Sequence, residues 1–448
     1  MRKPQIQQDI EHERVAKNSR IQTIRLYPNL ILHLKVNTKN PKRFHQKIHK
    51  QQQTKAAHKL LLHAAKVNII WAYIWRVKIA VNTRFLLPHK LEGIGWFTHE
   101  IFKRLVQQHP QIEWHFLFDR PFEPNFIYGE NVKGHVLYPP TRHPLLWQWW
   151  FQYSVPQKLK QLKPQLLVSP DGFVPLKSST PSLAVIHDIN FEHQKENTSK
   201  LVGWYLRKYF PQYAYAAKRV ATVSAYSRED LIKTYRLPAE KCDLVYNGVG
   251  DFFKPLAREK QNEIKKSLTA GKPYFIFIGA LNPRKNIDGM LEAYQIYRQR
   301  GGLAKFVVVG EKMFWNQELD QVYQQHPFKN DIIFTGRLER EELNEVLASA
   351  QALAFVSHFE GFGIPILEAF KSEVPVITAT NSSMPEVAGN AALLCNSRDK
   401  ESIAQAFLQT DDAQLRKELI AKGRERGKVF RWDRSAEMMW ASIEKTLA

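Results

Sequence analysis

The chain has 448 residues, more than one ordinary hydrophobic core holds, and suits two domains of about 150–200 residues each. Hydrophobic residues make up 44% and aromatic residues 12%, enough for packed interiors, and no apolar run reaches the ~18 residues that span a bilayer. The formal net charge of +22 favours an acidic partner: nucleic acid, an anionic membrane surface or a phosphorylated ligand. Only two cysteines occur, Cys242 and Cys395, without a Cys-x-x-Cys pair, which argues against a disulfide framework or structural zinc and fits a reducing cytoplasm.

The charge is unevenly placed. Residues 1–76 carry 16 Lys and Arg against 3 Asp and Glu, a net +13, which leaves +9 for the other 372 residues. This leader contains none of the 20 glycines, is rich in Gln, Lys and His, and lacks the basic, apolar and small-residue succession of a signal peptide. The run from Val67 to Trp75 is apolar but too short to span, so it is compatible at most with membrane-surface contact. Residues 1–76 therefore read as a basic N-terminal extension, either a disordered tail or the product of a start codon assigned too far upstream. The second is preferred, because a buried strand opens the fold at Val77 and a valine codon can initiate in bacteria.

From residue 77 onward, short apolar runs alternate with amphipathic stretches. Strands are predicted at 78–82, 114–118, 165–169, 182–187, 219–224 and 243–247, with a helix at 96–107, the βαβ rhythm of a parallel sheet. Ligands bind at the carboxyl ends of such strands, so Asn82, Ser169, His187, Ser224 and Asn247 are expected to face one crevice. The segment 145–151 is Leu-Leu-Trp-Gln-Trp-Trp-Phe and leads into Lys158, Lys160 and Lys163. Core packing is its preferred reading, with a helix lying on an anionic membrane as the other. Residues 257–271 are charged and read as a linker. The rhythm restarts with strands at 274–279, 305–310, 331–335, 352–356 and 374–378 and helices at 286–300, 340–350, 363–372 and 400–408.

The residues that suggest chemistry cluster after the strands. His358-Phe-Glu360-Gly361-Phe362-Gly363-Ile364-Pro-Ile-Leu-Glu368 sets two carboxylates eight residues apart across a strand-to-helix turn. Gly361 and Gly363 let backbone approach a ligand, and the helix start at Ile364 offers free N–H donors. Glu360 is suited to sugar hydroxyls and Glu368 to ribose hydroxyls; a capped turn with surface glutamates is the plain structural alternative. Arg284 and Lys285 follow a strand-end glycine and precede a helix, so charge and helix dipole converge where a diphosphate fits, or else form a solvated basic turn. In the N-terminal half, Gly93, Gly95 and Trp96 follow the first strand, His187 ends a buried strand, and Ser224 follows another, suited to acceptor contact or to N-capping.

Taken together, these segments resemble the family 4 retaining glycosyltransferases. The resemblance rests on the Glu360 to Glu368 element, the 279–286 segment Gly-Ala-Leu-Asn-Pro-Arg-Lys-Asn, Thr335-Gly336, the run 385–394, His187-Asp188 and the turn 92–96, and it covers residues 78 to the C-terminus. It implies an α/β GT-B fold, two Rossmann-like doubly wound domains facing a cleft. Residues 77–256 form the acceptor-side domain and 257–429 the nucleotide-sugar domain, while 430–448 form a helix that crosses back to the first. It implies donor binding by Gly95, Arg284, Lys285, Thr335, Gly361, Phe362, Gly363, Ile364 and Glu368, with Glu360 and His187 in catalysis and Gly93, Trp96 and Ser224 on the acceptor side. Trp96 stands where many relatives have Arg, and Glu92 precedes the glycines, departures that bear on the acceptor.

The implied reaction is hexose transfer with retention, from a nucleotide-diphosphate sugar to a glycan or lipid-linked acceptor in cell-surface polysaccharide synthesis. GDP-mannose is favoured over UDP-sugars, because the Arg-Lys-Asn and Gly-Ile-Gly versions resemble the mannosyltransferase subgroup. No cofactor and no metal are expected, since the basic residues and backbone donors meet the diphosphate charge. The enzyme is expected in the cytoplasm, with contact at the anionic inner face of the plasma membrane. Nucleic-acid binding fits the charge but no binding motif in 77–448, and a catalytically idle sugar-binding protein is the remaining alternative.

Overall fold

The computed structural model describes residues 77–88, 91–195, 198–312 and 317–448, apart from the side chain of Glu318. The expectations on residues 1–76 lie outside the described residues.

Two parallel sheets organise the chain. The first contains β1 (Lys78–Asn82), β2 (Glu113–Phe118), β3 (Val132–Val136), β4 (Leu166–Ser169), β5 (Ser182–Val185), β6 (Arg219–Thr222) and β7 (Cys242–Leu244), in the order β3-β2-β1-β4-β5-β6-β7. The second contains β8 (Tyr274–Ile278), β9 (Lys305–Val309), β10 (Ile332–Gly336), β11 (Ala352–Phe355), β12 (Val376–Ala379) and β13 (Ala392–Cys395), in the order β10-β9-β8-β11-β12-β13. Strands covered by helices on both faces must be apolar throughout, and β1, β4, β8, β11 and β12 read that way, with nearly every residue buried.

This order decides where a ligand fits. In the first sheet the chain moves outward in one direction from β1 and in the other from β4, which pair through Ile79 and Leu166. In the second it does so from β8 and β11, which pair through Ile276 and Leu353. At such a switch point the adjoining crossovers leave on opposite faces, and a crevice opens beyond the strand ends. The loops after β8 and β11 are the two segments that carry Arg284, Lys285, Glu360 and Glu368.

Several elements depart from expectation. Residues 257–271 are not a linker: Arg258–Thr269 is a helix, whose Ile264 and Leu268, one turn apart, pack on the core. That two-residue stripe is enough for an outer-layer helix and too sparse to read by period. Strands β3 and β13 went unread because edge strands are half-solvated: β3 is Val-Lys-Gly-His-Val, and β13 is mostly half-buried. The first helix spans Gly93–Gln108, so Gly93 and Gly95 lie in its first turn rather than in a loop ahead of it.

The last helix, Trp432–Leu447, returns from the second sheet to the first. Its Trp440 stacks on His109 with ring centroids 3.5 Å apart, Asp433 accepts from Arg104 at 2.7 Å, and Ser442 and Lys445 donate to Asp243 at 2.7 and 3.0 Å. No helix among the described residues is long and apolar enough to cross a membrane.

Candidate active site

One wall of the crevice is built on the ends of β8 and β11. After β8, a 3-10 turn at Pro283–Lys285 ends in Asn286 at φ 58°, a left-handed conformation that Asn tolerates. The Asn286 amide donates to the carbonyls of Val356 at 3.0 Å and Ser397 at 2.7 Å, and the His358 N–H donates to the Arg284 carbonyl at 2.8 Å. These bonds lash the turn to the loop after β11 and bring three charges together. Glu360 accepts from Arg284 at 2.7 Å on one carboxylate oxygen and from Lys285 at 2.7 Å on the other. Burial would raise the Glu360 pKa, but the two cations outweigh it and hold the carboxyl at about 2. Burial opposes the Arg284 charge, yet Glu360 and Asp188 support it and keep the guanidinium above its ordinary value. The Lys285 ammonium is pushed down by burial, with Glu360 acting against that. Two basic groups thus enclose one carboxylate.

Gly363, at φ +100°, ends this loop and opens the helix Ile364–Lys371, a backbone that a side chain would strain. No side chain caps the helix; Pro365 has no N–H and the Ile366 N–H donates to the Gly363 carbonyl at 3.0 Å, so the helix start offers the Ile364 N–H and the dipole. Glu368 sits half-buried one turn on; burial pushes its carboxyl up to about 7 and the Arg340 charge acts against the rise.

The opposite wall comes from the first sheet. The His187 Nε2–H donates to the Pro170 carbonyl at 2.9 Å, which leaves the neutral ring's Nδ1 as acceptor, and burial depresses its pKa, favouring the neutral form. Phe97 meets the same ring edge to face at 4.9 Å. The two walls touch: a Cβ on Gly361 would lie 2.6 Å from the His187 carbonyl, and Ser227 Oγ donates to the Gly361 carbonyl at 3.2 Å. Gly95 has a similar reason to be glycine, since its Cβ would lie 2.7 Å from the Phe85 carbonyl.

The predicted residues fare differently. Arg284, Lys285, Glu360, Gly361 and Gly363 form one cluster, with His187 against it. Glu360 is not the free carboxylate that sequence suggests, because both oxygens are engaged. Ser224 is not an open acceptor contact: it is fully buried, and its Oγ caps the helix Ala225–Tyr235 by accepting from the Ser227 N–H at 3.0 Å. The Phe362 side chain packs between Tyr246 and Phe430, and Ile364 packs on the core, so both offer only main-chain groups to the crevice. Thr335 is the last residue but one of β10, at the register shift between Phe334 and Gly336. Trp96 faces the second domain, where the Arg340 guanidinium lies 3.3 Å from its ring centroid. The strand-end residues Asn82 and Ser169 bond to each other at 3.0 Å, and Ser169 donates to Asp171, so they brace loops.

Three further residues shape the cleft. Arg340 is the cation beside Glu368. Ser383 Oγ lies 2.8 Å from the Glu360 carbonyl and 3.0 Å from that of Phe362, fixing the loop. Glu386 accepts from the backbone N–H groups of Ala225 and Tyr226 at 2.8 and 3.0 Å, which places a carboxylate on a helix N-terminus across the cleft. Its position in Pro385-Glu386-Val387 was visible as a motif, but a partner 161 residues away was not. A cavity of about 870 Å³ also opens beside the Pro283 turn, lined by His193 from the first domain and by Asp288, His358 and Arg398 from the second. The switch-point crevice, which holds the charged cluster and the helix N-terminus, is the better anion site.

Comparison with known proteins gives a consistent picture. A family model described as "Glycosyltransferase Family 4" matches residues 91–251, and one described as "Glycosyl transferases group 1" matches residues 259–426. The chain is 27% identical over 361 residues to the O-antigen chain mannosyltransferase B of Escherichia coli, covering 78% of this chain and 94% of that protein. It is 28% identical over 282 residues to the O-antigen chain mannosyltransferase RfbU of Salmonella typhimurium, covering 62% and 74%. Among solved structures, a sucrose-phosphate synthase from Thermosynechococcus elongatus superposes with a TM-score of 0.69 at 16% identity, over 83% of this chain and 99% of that one. Anabaena HepE in complex with UDP-glucose gives 0.64 at 17% identity, over 83% and 100%. The two-sheet architecture is the GT-B fold.

Proposed function

Because the chain belongs to the family 4, group 1 glycosyltransferases, we propose that it transfers a hexose, with mannose favoured, from a nucleotide-diphosphate donor to a glycan or lipid-linked acceptor with retention of anomeric configuration. The setting is the cytoplasmic synthesis of a cell-surface polysaccharide, at the anionic inner face of the plasma membrane. Mannose leads because two relatives, matched over 361 and 282 residues, are named mannosyltransferases. The observation that carries the reading is the Arg284, Lys285 and Glu360 cluster at the second sheet's switch point, facing His187.

In this reading the diphosphate enters beside Arg284, Lys285 and the Ile364 N–H that opens the helix. They meet the negative charge that grows on the leaving group as the glycosidic bond breaks. The basic pair thereby takes the part that a divalent cation would otherwise play, and EDTA is expected to leave the rate unchanged. As the phosphates draw the two cations, the Glu360 oxygens become available to donor-sugar hydroxyls. The His187 Nδ1 accepts from another hydroxyl, and Glu368 accepts from the ribose. The acceptor hydroxyl attacks from the face the leaving group departs; its proton passes to the leaving diphosphate oxygen, so charge and atoms balance. Closed walls at Gly361 and His187 keep out water, which would divert the sugar to hydrolysis.

The test is nucleotide-sugar turnover by the purified full chain, with GDP-mannose, UDP-glucose and UDP-N-acetylglucosamine compared. Release of GDP from GDP-mannose with mannose transferred, and a Glu360→Ala rate about 10²–10³-fold lower, are the expected results. Turnover of Glu360→Ala at the wild-type rate would sink the assigned roles, and selective use of a UDP-sugar would overturn the donor.

A further inference from the structure

We propose that the protein docks on an anionic bilayer through one face of its first domain, formed by the outer sides of the helix Pro144–Trp149 with the turn after it and the helix Lys200–Ala216. The two helices lie side by side: Tyr205 Oη donates to Gln148 Oε1 at 3.0 Å, and the rings of Trp147 and Tyr205 are 5.5 Å apart. Their inner sides are satisfied, because Trp150, Phe151, Val155, Tyr205 and Tyr213 are buried in the core. Their outer sides expose large apolar groups. Leu145, Trp149 and Tyr153 recur every four residues at 72%, 57% and 62% exposure, while Leu201 and Trp204 share a face with Lys208 at the helical spacing of three and four. Six of the ten large hydrophobic side chains exposed among the described residues lie on these two helices and the turn after the first.

Charge selects the occupant. Residues 138–218 hold ten Lys and Arg against four acidic residues; Asp171 is buried and paired with Arg84, Asp188 accepts from Asn190 and Glu192 accepts from Tyr235. Lys160, Lys163, Lys200 and Lys208 are exposed around the aromatic surface, and the Lys208 ammonium lies 4.8 Å from the Trp204 ring centroid. Tryptophan and tyrosine flanked by lysine match the headgroup boundary of an anionic bilayer: rings at the interface, ammonium groups on lipid phosphate. A second copy of the chain would bring the same net positive charge against it. The aromatic helix also stacks Phe151 on Phe173 at 5.1 Å, in the loop whose Pro170 carbonyl holds His187. The docked face therefore adjoins the loop that shapes the acceptor side of the cleft, which suits a lipid-linked acceptor. That last link alone rests on the proposed function.

The experiment is vesicle co-sedimentation of the full 448-residue chain, so that residues 1–76 contribute equally to every variant. Vesicles of phosphatidylethanolamine with phosphatidylglycerol are expected to bind the wild type and to release it as salt rises; pure phosphatidylcholine vesicles are not. Trp149→Ser with Trp204→Ser, and separately Lys160→Glu with Lys208→Glu, should each lower binding by about tenfold or more, with thermal transitions and nucleotide turnover as in the wild type. Binding of both double variants at the wild-type level would overturn the proposal. So would loss of a wild-type dimer in light scattering in place of a vesicle effect, since the face would then cover a second copy. Absence of nucleotide turnover with vesicle binding intact would defeat the proposed function and leave this inference standing.

Discussion

At the scale of single residues, the two glutamates of the 360–368 element have been driven in opposite directions by their neighbours. Glu360 meets two cations and stays ionised; Glu368 meets burial with one opposing charge at a distance and titrates near 7. A carboxyl whose folded-state pKa stands above its ordinary 4.5 costs nothing below that value and costs stability as pH rises through about 7. Glu368→Gln is therefore expected to melt with the wild type at pH 4.5 and above it at pH 8, a difference that a thermal-unfolding series across pH reads directly. A ribose hydroxyl bonds best to the ionised carboxylate, so donor affinity should climb through the same window in the wild type and stay flat in the variant. Calorimetric titration with the nucleotide at pH 6 and pH 8 decides that. The spacing of the two carboxylates was legible in the sequence; their opposite titration was not, because Arg284, Lys285 and Arg340 reach them through space.

Among elements, the strand-to-helix turns do most to set the site, and they tolerate little added volume. Gly361 lies where the second domain touches the first, and a methyl in its place would stand 2.6 Å from the His187 carbonyl and 2.9 Å from Asp188 Cβ. Backbone cannot yield as a flexible side chain can, so Gly361→Ala is expected to push the walls apart and not to unfold the chain. The expected signature is a transfer rate lowered by about 10²-fold with a melting temperature within a few degrees of the wild type, measured side by side. Equal rates would show that the contact is dispensable. The same logic explains what sequence reading of elements found and missed. Strands buried on both faces announce themselves as apolar runs, as in Tyr-Phe-Ile-Phe-Ile at 274–278, whereas β3 and the Arg258–Thr269 helix lie at the edge and carry few apolar residues.

At the scale of the whole molecule, the C-terminal helix joins the two sheets into one working unit. Trp432, Met439 and Ile443 are buried, and each fully buried side chain of this size contributes about 1.5–3 kcal/mol. Ending the chain after Phe430 removes these contacts together with the Asp243 and Arg104 pairs. The loss approaches the ~5–15 kcal/mol that stabilises an ordinary domain, so the truncated chain is expected to unfold at a much lower temperature or to aggregate. A calorimetric scan that superposed on the wild type would contradict this account of the helix. Glu386, bound to the Ala225 helix start, is a second and smaller tie across the same cleft.

The sequence by itself determined the two parallel sheets, the cleft between them and the loops that hold its chemistry, because buried strands need apolar runs and phosphate-binding turns need glycine and base at fixed spacing. It also marked Arg284, Lys285, Glu360 and Glu368. Only the tertiary structure decided what those residues do to one another: that Glu360 is held by both cations, that Ser224 caps a helix, and that Glu386 and Arg340 serve the opposite domain. Those outcomes depend on distances between segments tens to hundreds of residues apart, and electrostatic energy follows distance in space, not position along the chain.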